Sequence, residues 1–158
     1  MGTIDLSRHA TDFRKHYSGV RMQQGRVLTD DDFNEAARID YEGQRRTRMD
    51  VVGPSGSPND GFLISDLTAI NNVLDFQIGA GTLYLGGMCL RMEAAERYRT
   101  QRDWLQQQSA GDELPFLEDG SRFDLVWIDA WEQPVTAVED QELFEVALSG
   151  PDTSARIR

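Results

Sequence analysis

Apolar positions along this chain change their spacing twice. Up to about residue 28 polar and aromatic residues mix without a sustained period, which predicts extended chain with a short strand over 20–28. Thr29 then stands as a helix N-cap, and Asp30, Asp31 and Asp32 put negative charge in the first turn, where it meets the helix macrodipole. Phe33, Ala36, Ala37 and Tyr41 recur at helical spacing, so a helix is expected from Phe33 to about Met49, with Glu35, Arg38, Glu42, Arg45 and Arg46 on its remaining faces. That apolar stripe is thin, with two of its side chains being alanine. It buries too little area to hold so long a helix by local packing alone, so a second surface is required, from the same chain or from another subunit.

The stretch Gly53-Pro54-Ser55-Gly56-Ser57-Pro58-Asn59-Asp60-Gly61 cannot continue a helix and marks the expected module boundary. Beyond it the period becomes two. Residues 73–78 and 82–92, joined by Gly79-Ala80-Gly81, predict a β-hairpin, with Leu74, Phe76 and Ile78 on one face and Leu83, Leu85 and Met88 supplying the partner. Residues 97–100 can add a short strand, and 101–121 read as a polar excursion with one helical turn near Trp104. Residues 123–131 are apolar on both faces, as expected of a central and well protected strand. Residues 140–148 carry the spacing of a short helix ended by Ser149-Gly150-Pro151. The predicted class is α+β: an N-terminal extended arm and long helix (1–53), a Gly/Pro linker (54–61), and a β-rich, sandwich-like domain with short helices (62–158).

Composition narrows the function classes. At 158 residues and 39 % hydrophobic content the chain can bury one ordinary core. No run reaches the roughly 18 apolar residues of a membrane helix, and the first twenty residues lack a signal-peptide core, so synthesis and folding in the cytoplasm are expected. The net charge of −11 falls entirely on residues 51–158, because the first fifty residues balance. Nucleic acid is therefore a poor partner, since phosphate binding needs clustered Lys and Arg. Lys15 is the one lysine beside fifteen arginines. That bias suits desolvated ion pairs at protein interfaces, and it also suits a genome rich in G and C.

Candidate chemistry is sparse. Metal ligands of the His/Cys type are limited to His9, His16 and Cys89, and Asp30-Asp31-Asp32 lacks the alternating ligand spacing of a calcium loop, so neither metal nor cofactor is expected. Cys89 reads as a small buried hydrophobe in a strand. Gly79-Ala80-Gly81 and Gly86-Gly87 are followed by strand-like sequence rather than a helix, which favours hairpin turn and bulge over a phosphate cradle. Glu132 with Glu139 could be imagined as a glycosidase pair, as abundant carboxylates always allow, and Trp127 with Trp131 could stack on a sugar, although their apolar surroundings point to core. Catalysis has no positive signal.

The string His16-Tyr17-Ser18-Gly19-Val20-Arg21-Met22-Gln23-Gln24-Gly25-Arg26-Val27-Leu28-Thr29-Asp30-Asp31-Asp32-Phe33-Asn34-Glu35 resembles the opening of an uncharacterised family encoded in extracellular contractile injection system clusters, and more loosely the N-terminal segments of phage tail and baseplate fibre proteins. The stretches 129–140 (DAWEQPVTAVED) and 145–153 (EVALSGPDT) extend the resemblance over most of the chain, with weaker support from Gly53-Pro54, Gly61-Phe62 and the glycines between 81 and 87. Phe33 stands where many relatives are expected to carry tryptophan, which preserves an aromatic anchor. Relatives usually continue for hundreds of residues, so the resemblance implies that 1–158 is an N-terminal portion. It implies further a structural, non-enzymatic component of a phage-tail-like particle, assembled from the cytoplasm, docked at the baseplate or an associated fibre, and homo-oligomeric, as a trimer by analogy with fibres and spikes. The expected contact residues are Tyr17, Met22, Arg26, Phe33, Ala37, Arg38, Tyr41 and Arg45. The alternatives are a glycan-binding appendage module using Trp127 or Trp131, and a cell-wall or polysaccharide hydrolase using Glu132 and Glu139.

Overall fold

A computed structural model of the chain describes residues 6–7, 11–70, 73–101 and 123–158. Contacts divide the chain into two units, Met1–Glu42 with Trp127–Arg158, and Gly43–Val126. It is a mixed α+β protein with one long helix and several antiparallel sheets. The excursion expected at 101–121 lies, but for Gln101, outside the described residues.

Helix α1, Asp30–Val52, begins where its cap was expected. The Thr29 hydroxyl accepts from the Asp32 amide at 3.3 Å, and the Asp32 carboxylate takes the Thr29 amide at 3.2 Å and the Thr29 hydroxyl at 2.8 Å. This reciprocal arrangement satisfies amides that a helix start otherwise leaves open. One residue later in the chain's logic, Asp30 is clamped from outside: Ser7 donates its amide (3.1 Å) and its hydroxyl (2.6 Å) to that carboxylate. The Ser7 hydroxyl, then the Ser7 amide, hold the Asp30 carboxyl below its ordinary 3.8. The helix ends at Gly53, which adopts φ 91° and donates to the Met49 carbonyl at 3.0 Å, with Pro54 next to prevent continuation.

In the unit Gly43–Val126 two small sheets form: β1 (Ser55–Gly56), β4 (Gly81–Leu85) and β5 (Met88–Met92) in the order β1-β4-β5, and β2 (Ile64–Ile70), β3 (Val73–Ile78) and β6 (Glu96–Arg97) in the order β2-β3-β6. The hairpin expected between 73–78 and 82–92 is therefore corrected. β3 pairs with β2, and 82–92 folds on itself as β4 and β5. Gly86 and Gly87, expected as a bulge, are the two turn residues, with φ 57° and 79°. A two-residue turn with both φ positive matches strand twist and is accessible to glycine without strain, so the period-two run breaks there.

Residues 54–61, expected as a linker, are stitched into this sheet. Ser55 pairs with Leu85 and Gly56 with Tyr84. The Gly86 amide donates to the Pro54 carbonyl at 2.9 Å, the Ser57 hydroxyl donates to the Thr82 carbonyl at 2.7 Å, and the Thr82 amide donates to the Asn59 side-chain oxygen at 3.0 Å. In the other sheet, β2 carries a bulge between Ser65 and Thr68, with Asp66 at φ 48°. Arg97 secures it, donating to the Asp66 carbonyl at 3.0 Å and pairing with the Asp66 carboxylate. Phe76 and Ile78 are buried, as the alternation required, and Phe76 stacks on Tyr98 at 4.7 Å. Buried Asp75 accepts from the amides of Phe76 (3.0 Å) and Arg99 (3.2 Å). Of the strand expected at 97–100, Arg97 belongs to β6 and Tyr98–Thr100 is a 3₁₀ turn.

The other unit contains β7 (Pro134–Val135) paired with β8 (Arg156–Ile157), plus 3₁₀ turns at Phe13–Lys15, Gln141–Leu143 and Val146–Leu148. Val135, Thr136, Ala137 and Asp31 are buried. No strand forms over 20–28; Gly25 at φ 74° makes a turn in which the Arg26 amide meets the Gln23 carbonyl at 3.2 Å. The helix expected over 140–148 is two separate turns, because Asp140 caps the Glu142 amide (3.1 Å) and Glu145 caps the Ala147 amide (3.0 Å), with Phe144 extended between them and bridged to Asp152. Most clearly, 123–131 is neither a strand nor protected: Phe123 is 97 % and Trp127 74 % exposed. An apolar run has strand propensity, but a strand also needs a ladder partner, and among the described residues none pairs with it.

Two predictions follow from these contacts. A Cβ on Gly86 would meet nothing within 4 Å, whereas one on Gly87 would lie 2.4 Å from the Arg45 carbonyl oxygen. Gly86→Ala is expected to destabilise by about 1 kcal/mol through left-handed strain alone, and Gly87→Ala by clearly more; urea unfolding of the two variants checks the order. Because folding lowers the Asp30 pKa, the Ser7 clamp stabilises above pH 3.8 and is lost as pH falls through the lowered folded value. Ser7→Ala is expected to move Asp30 back up toward its ordinary value in an NMR carboxyl titration, and an unchanged titration would show that Ser7 does not hold it.

Candidate functional site

Along α1, Asp31 is buried, and Asp32, Glu35, Ala36, Ile39, Glu42, Arg45, Arg48 and Met49 are half-buried, at spacings close to those of one helix side. Phe33, Ala37 and Tyr41, four residues apart, form an exposed row, and Phe33 is 67 % exposed. The half-buried side carries Glu35, Glu42 and Arg45 beside Ile39 and Met49.

Local chemistry in the second half of α1 explains the orientation there. The β4–β5 turn presents two carbonyls, and arginines answer them: Arg45 Nη1 donates to the Gly86 oxygen at 2.8 Å and Arg48 Nη1 to the Gly87 oxygen at 3.3 Å. Arg48 also donates to Gln44 Oε1 at 3.0 Å, which holds its guanidinium along the helix. Gly87 is buried, and only its missing Cβ lets the turn come this close to the Arg45 backbone. A charge-assisted bond to a carbonyl is stronger than a neutral one, so arginine on this side competes well with an apolar contact.

Of the eight residues expected to make contacts, Phe33, Ala37, Arg38 and Tyr41 are brought together on exposed turns of α1. The Tyr41 hydroxyl donates to Glu132, which ties the last of them to the chain that precedes β7. Tyr17, Met22 and Arg26 are exposed in the segment before the helix, and the Lys15 ammonium sits 5.9 Å from the Tyr17 ring centre, within cation–π range. Arg45 departs from the expectation: it belongs to the Gly43–Val126 unit and its guanidinium is committed to Gly86.

The other candidates separate cleanly. Trp127 and Trp131 are exposed, which corrects their assignment to a core. Cys89 is exposed rather than buried, on the outward face of β5. Glu132 accepts from Tyr41, and Glu139 accepts from the Thr136 amide at 3.3 Å, so both carboxylates of the imagined hydrolase pair hold up local structure. Among the described residues no cluster of His, Cys, Asp or Glu could hold a metal, and no helix is long and apolar enough to cross a membrane. The sequence reasoning missed Ile39 and Met49 as covered positions; their spacing with Glu35 and Glu42 is the signal that could have found them.

No curated protein and no solved structure matches the chain. One family model does, over residues 2–158, and its description is a family of unknown function. By that match, which spans nearly every residue, the chain belongs to the DUF6519 family.

Proposed function

We propose that this chain is a structural docking component of a phage-tail-like contractile injection particle, attached through its N-terminal region at the baseplate or a baseplate-associated fibre as a homo-oligomer, a trimer by analogy with fibres. The resemblance of residues 16–35 and 129–140 supplies the particle. The observation that carries the docking is the row Phe33, Ala37 and Tyr41 on one side of α1, with the Phe33 side chain 67 % exposed. Covering a phenylalanine side chain contributes roughly 1.5–3 kcal/mol, and alanine beside it lets a partner backbone approach closely. Residues 1–28 serve as an extended arm in this reading, with Tyr17, Met22 and Leu28 as further apolar contacts. The two small sheets form the β-rich, sandwich-like part.

Incorporation into particles is the test. Phe33→Ala is expected to lower incorporation about tenfold or more, as loss of an aromatic anchor does at protein interfaces, and the double variant Phe33→Ala, Tyr41→Ala to abolish it, with circular dichroism unchanged in the single variant. Tyr41→Phe, which keeps the ring and removes the hydroxyl that meets Glu132, is expected to incorporate normally. Wild-type incorporation of the double variant would sink the docking assignment. A glycan-binding appendage is the second reading, favoured by the exposure of Trp127 and Trp131. It requires sugar affinity of the chain, read by calorimetry, that disappears in Trp131→Ala.

A further inference from the structure

We infer that Asp60-Gly61 is a site of spontaneous isoaspartate formation that the fold holds closed, with the Ser57 hydroxyl as the group that holds it. Every contact involved lies within residues 57–82, so what α1 docks on has no bearing on it.

Packing imposes this dipeptide. A Cβ on Gly61 would lie 2.4 Å from the Thr82 amide nitrogen, 2.7 Å from the Gly81 carbonyl carbon and 2.7 Å from the Thr82 carbonyl oxygen, so only glycine lets the chain pass here on its way from β1 to β2. Asp60 before it is exposed at φ 52°, a left-handed conformation that aspartate tolerates better than most side chains. Aspartate followed by glycine is also the pair most prone to cyclise, because glycine puts no side chain beside the attacking amide nitrogen.

In that reaction the Gly61 nitrogen attacks Asp60 Cγ. The N–Cγ bond forms, the Cγ–OH bond of the protonated carboxyl breaks, and the hydroxyl leaves as water with the Gly61 amide proton. Water then adds to the main-chain carbonyl carbon of Asp60 in the succinimide ring and breaks its bond to nitrogen. The chain now runs through Cγ and the α-carboxylate is free. Composition is unchanged, and the backbone is longer by one carbon atom.

The structure withholds the nitrogen. The Gly61 amide donates to Ser57 Oγ at 2.7 Å, and that hydroxyl is fixed in turn by donating to the Thr82 carbonyl at 2.7 Å. Asn59 Oδ1 accepts from the Thr82 amide at 3.0 Å, which holds the loop on the same residue. On the far side of the step the Asp60 carbonyl accepts from the Leu63 amide at 3.2 Å, and the Phe62 amide donates to the Gly79 carbonyl at 2.9 Å. Turning the Gly61 nitrogen onto the Asp60 side chain therefore has to break the Ser57 bond first. A backbone lengthened by one atom cannot keep both Gly61 against Thr82 and Phe62 on Gly79, so isomerisation loosens the entry to β2.

Ageing the full chain in mildly acidic buffer tests this, with peptide mapping by electron-transfer fragmentation to distinguish isoaspartate from aspartate and circular dichroism to follow the fold. Ser57→Ala is expected to speed isomerisation at residue 60 roughly five- to tenfold, the factor for a hydrogen bond that otherwise has to break. Ser57→Thr, which keeps the hydroxyl, should stay near the wild-type rate. Asp119-Gly120, the chain's other Asp-Gly pair, gives an internal reference within each sample. Because Ser57→Ala also takes a donor from the Thr82 carbonyl, a second variant leaves Ser57 in place. The side-chain amide of Asp60→Asn cyclises by the same attack with loss of ammonia, so ring formation is read as deamidation. Residue 60 of that variant should stay intact in the native chain and deamidate in urea. Isomerisation at residue 60 as fast in the native wild type as in urea, no rise in Ser57→Ala, or equal deamidation of Asp60→Asn in native and urea-unfolded chains would each overturn the inference.

Discussion

The architecture hinges on how closely the β4–β5 turn approaches α1. Gly87 offers a bare Cα to the helix backbone, and the carbonyls of Gly86 and Gly87 reach Arg45 and Arg48. A carbonyl brought against a helix without a donor would cost about 1–3 kcal/mol, so the arginines are a condition of the approach. Once they face the turn, the helix rotation in this unit is settled, since residues three and four apart share a side. The same turn divides 82–92 into two strands, leaves β5 as an edge among the described residues, and is followed on the other side of β4 by the pairing of Ser55–Gly56 as β1.

A second consequence concerns where apolar surface goes. Among the described residues the buried hydrophobic side chains are Phe76, Ile78, Val135 and Ala137, whereas Phe33, Phe123, Leu125, Trp127 and Val146 lie open. Hydrophobic burial is the main favourable term in folding, and a chain that leaves this much of it unrealised presents surface suited to covering by other polypeptide. Polar bonds carry a correspondingly large part of local order. Ser7 on Asp30, Arg97 across the Asp66 bulge, Asp75 on the Phe76 and Arg99 amides, and Glu139 on the Thr136 amide each fix a local backbone position.

How much was legible depended on how far apart the partners lie. Thr29 with Asp32 and Gly53 with Met49 are completed within a few residues, so residue type and spacing determined them; α1 starts at its expected cap, and the alternation of Phe76 and Ile78 gave the buried face of β3. Where the expectation failed, a distant group decided. Residues 123–131 have the composition of a central strand, but propensity cannot supply a ladder. The pairing of β3 with β2 rather than β4, and that of Ser55–Gly56 with β4, were settled by partners that a period of two does not name. On α1 the row Phe33, Ala37, Tyr41 was visible in sequence, whereas the side that Arg45 and Arg48 present is set by carbonyls some forty residues away. By itself the sequence determined where the long helix begins and which side chains recur together, because a helix cap is satisfied locally. Only the tertiary structure decided which recurring face is covered and which strand meets which, because burial and pairing are properties of two surfaces.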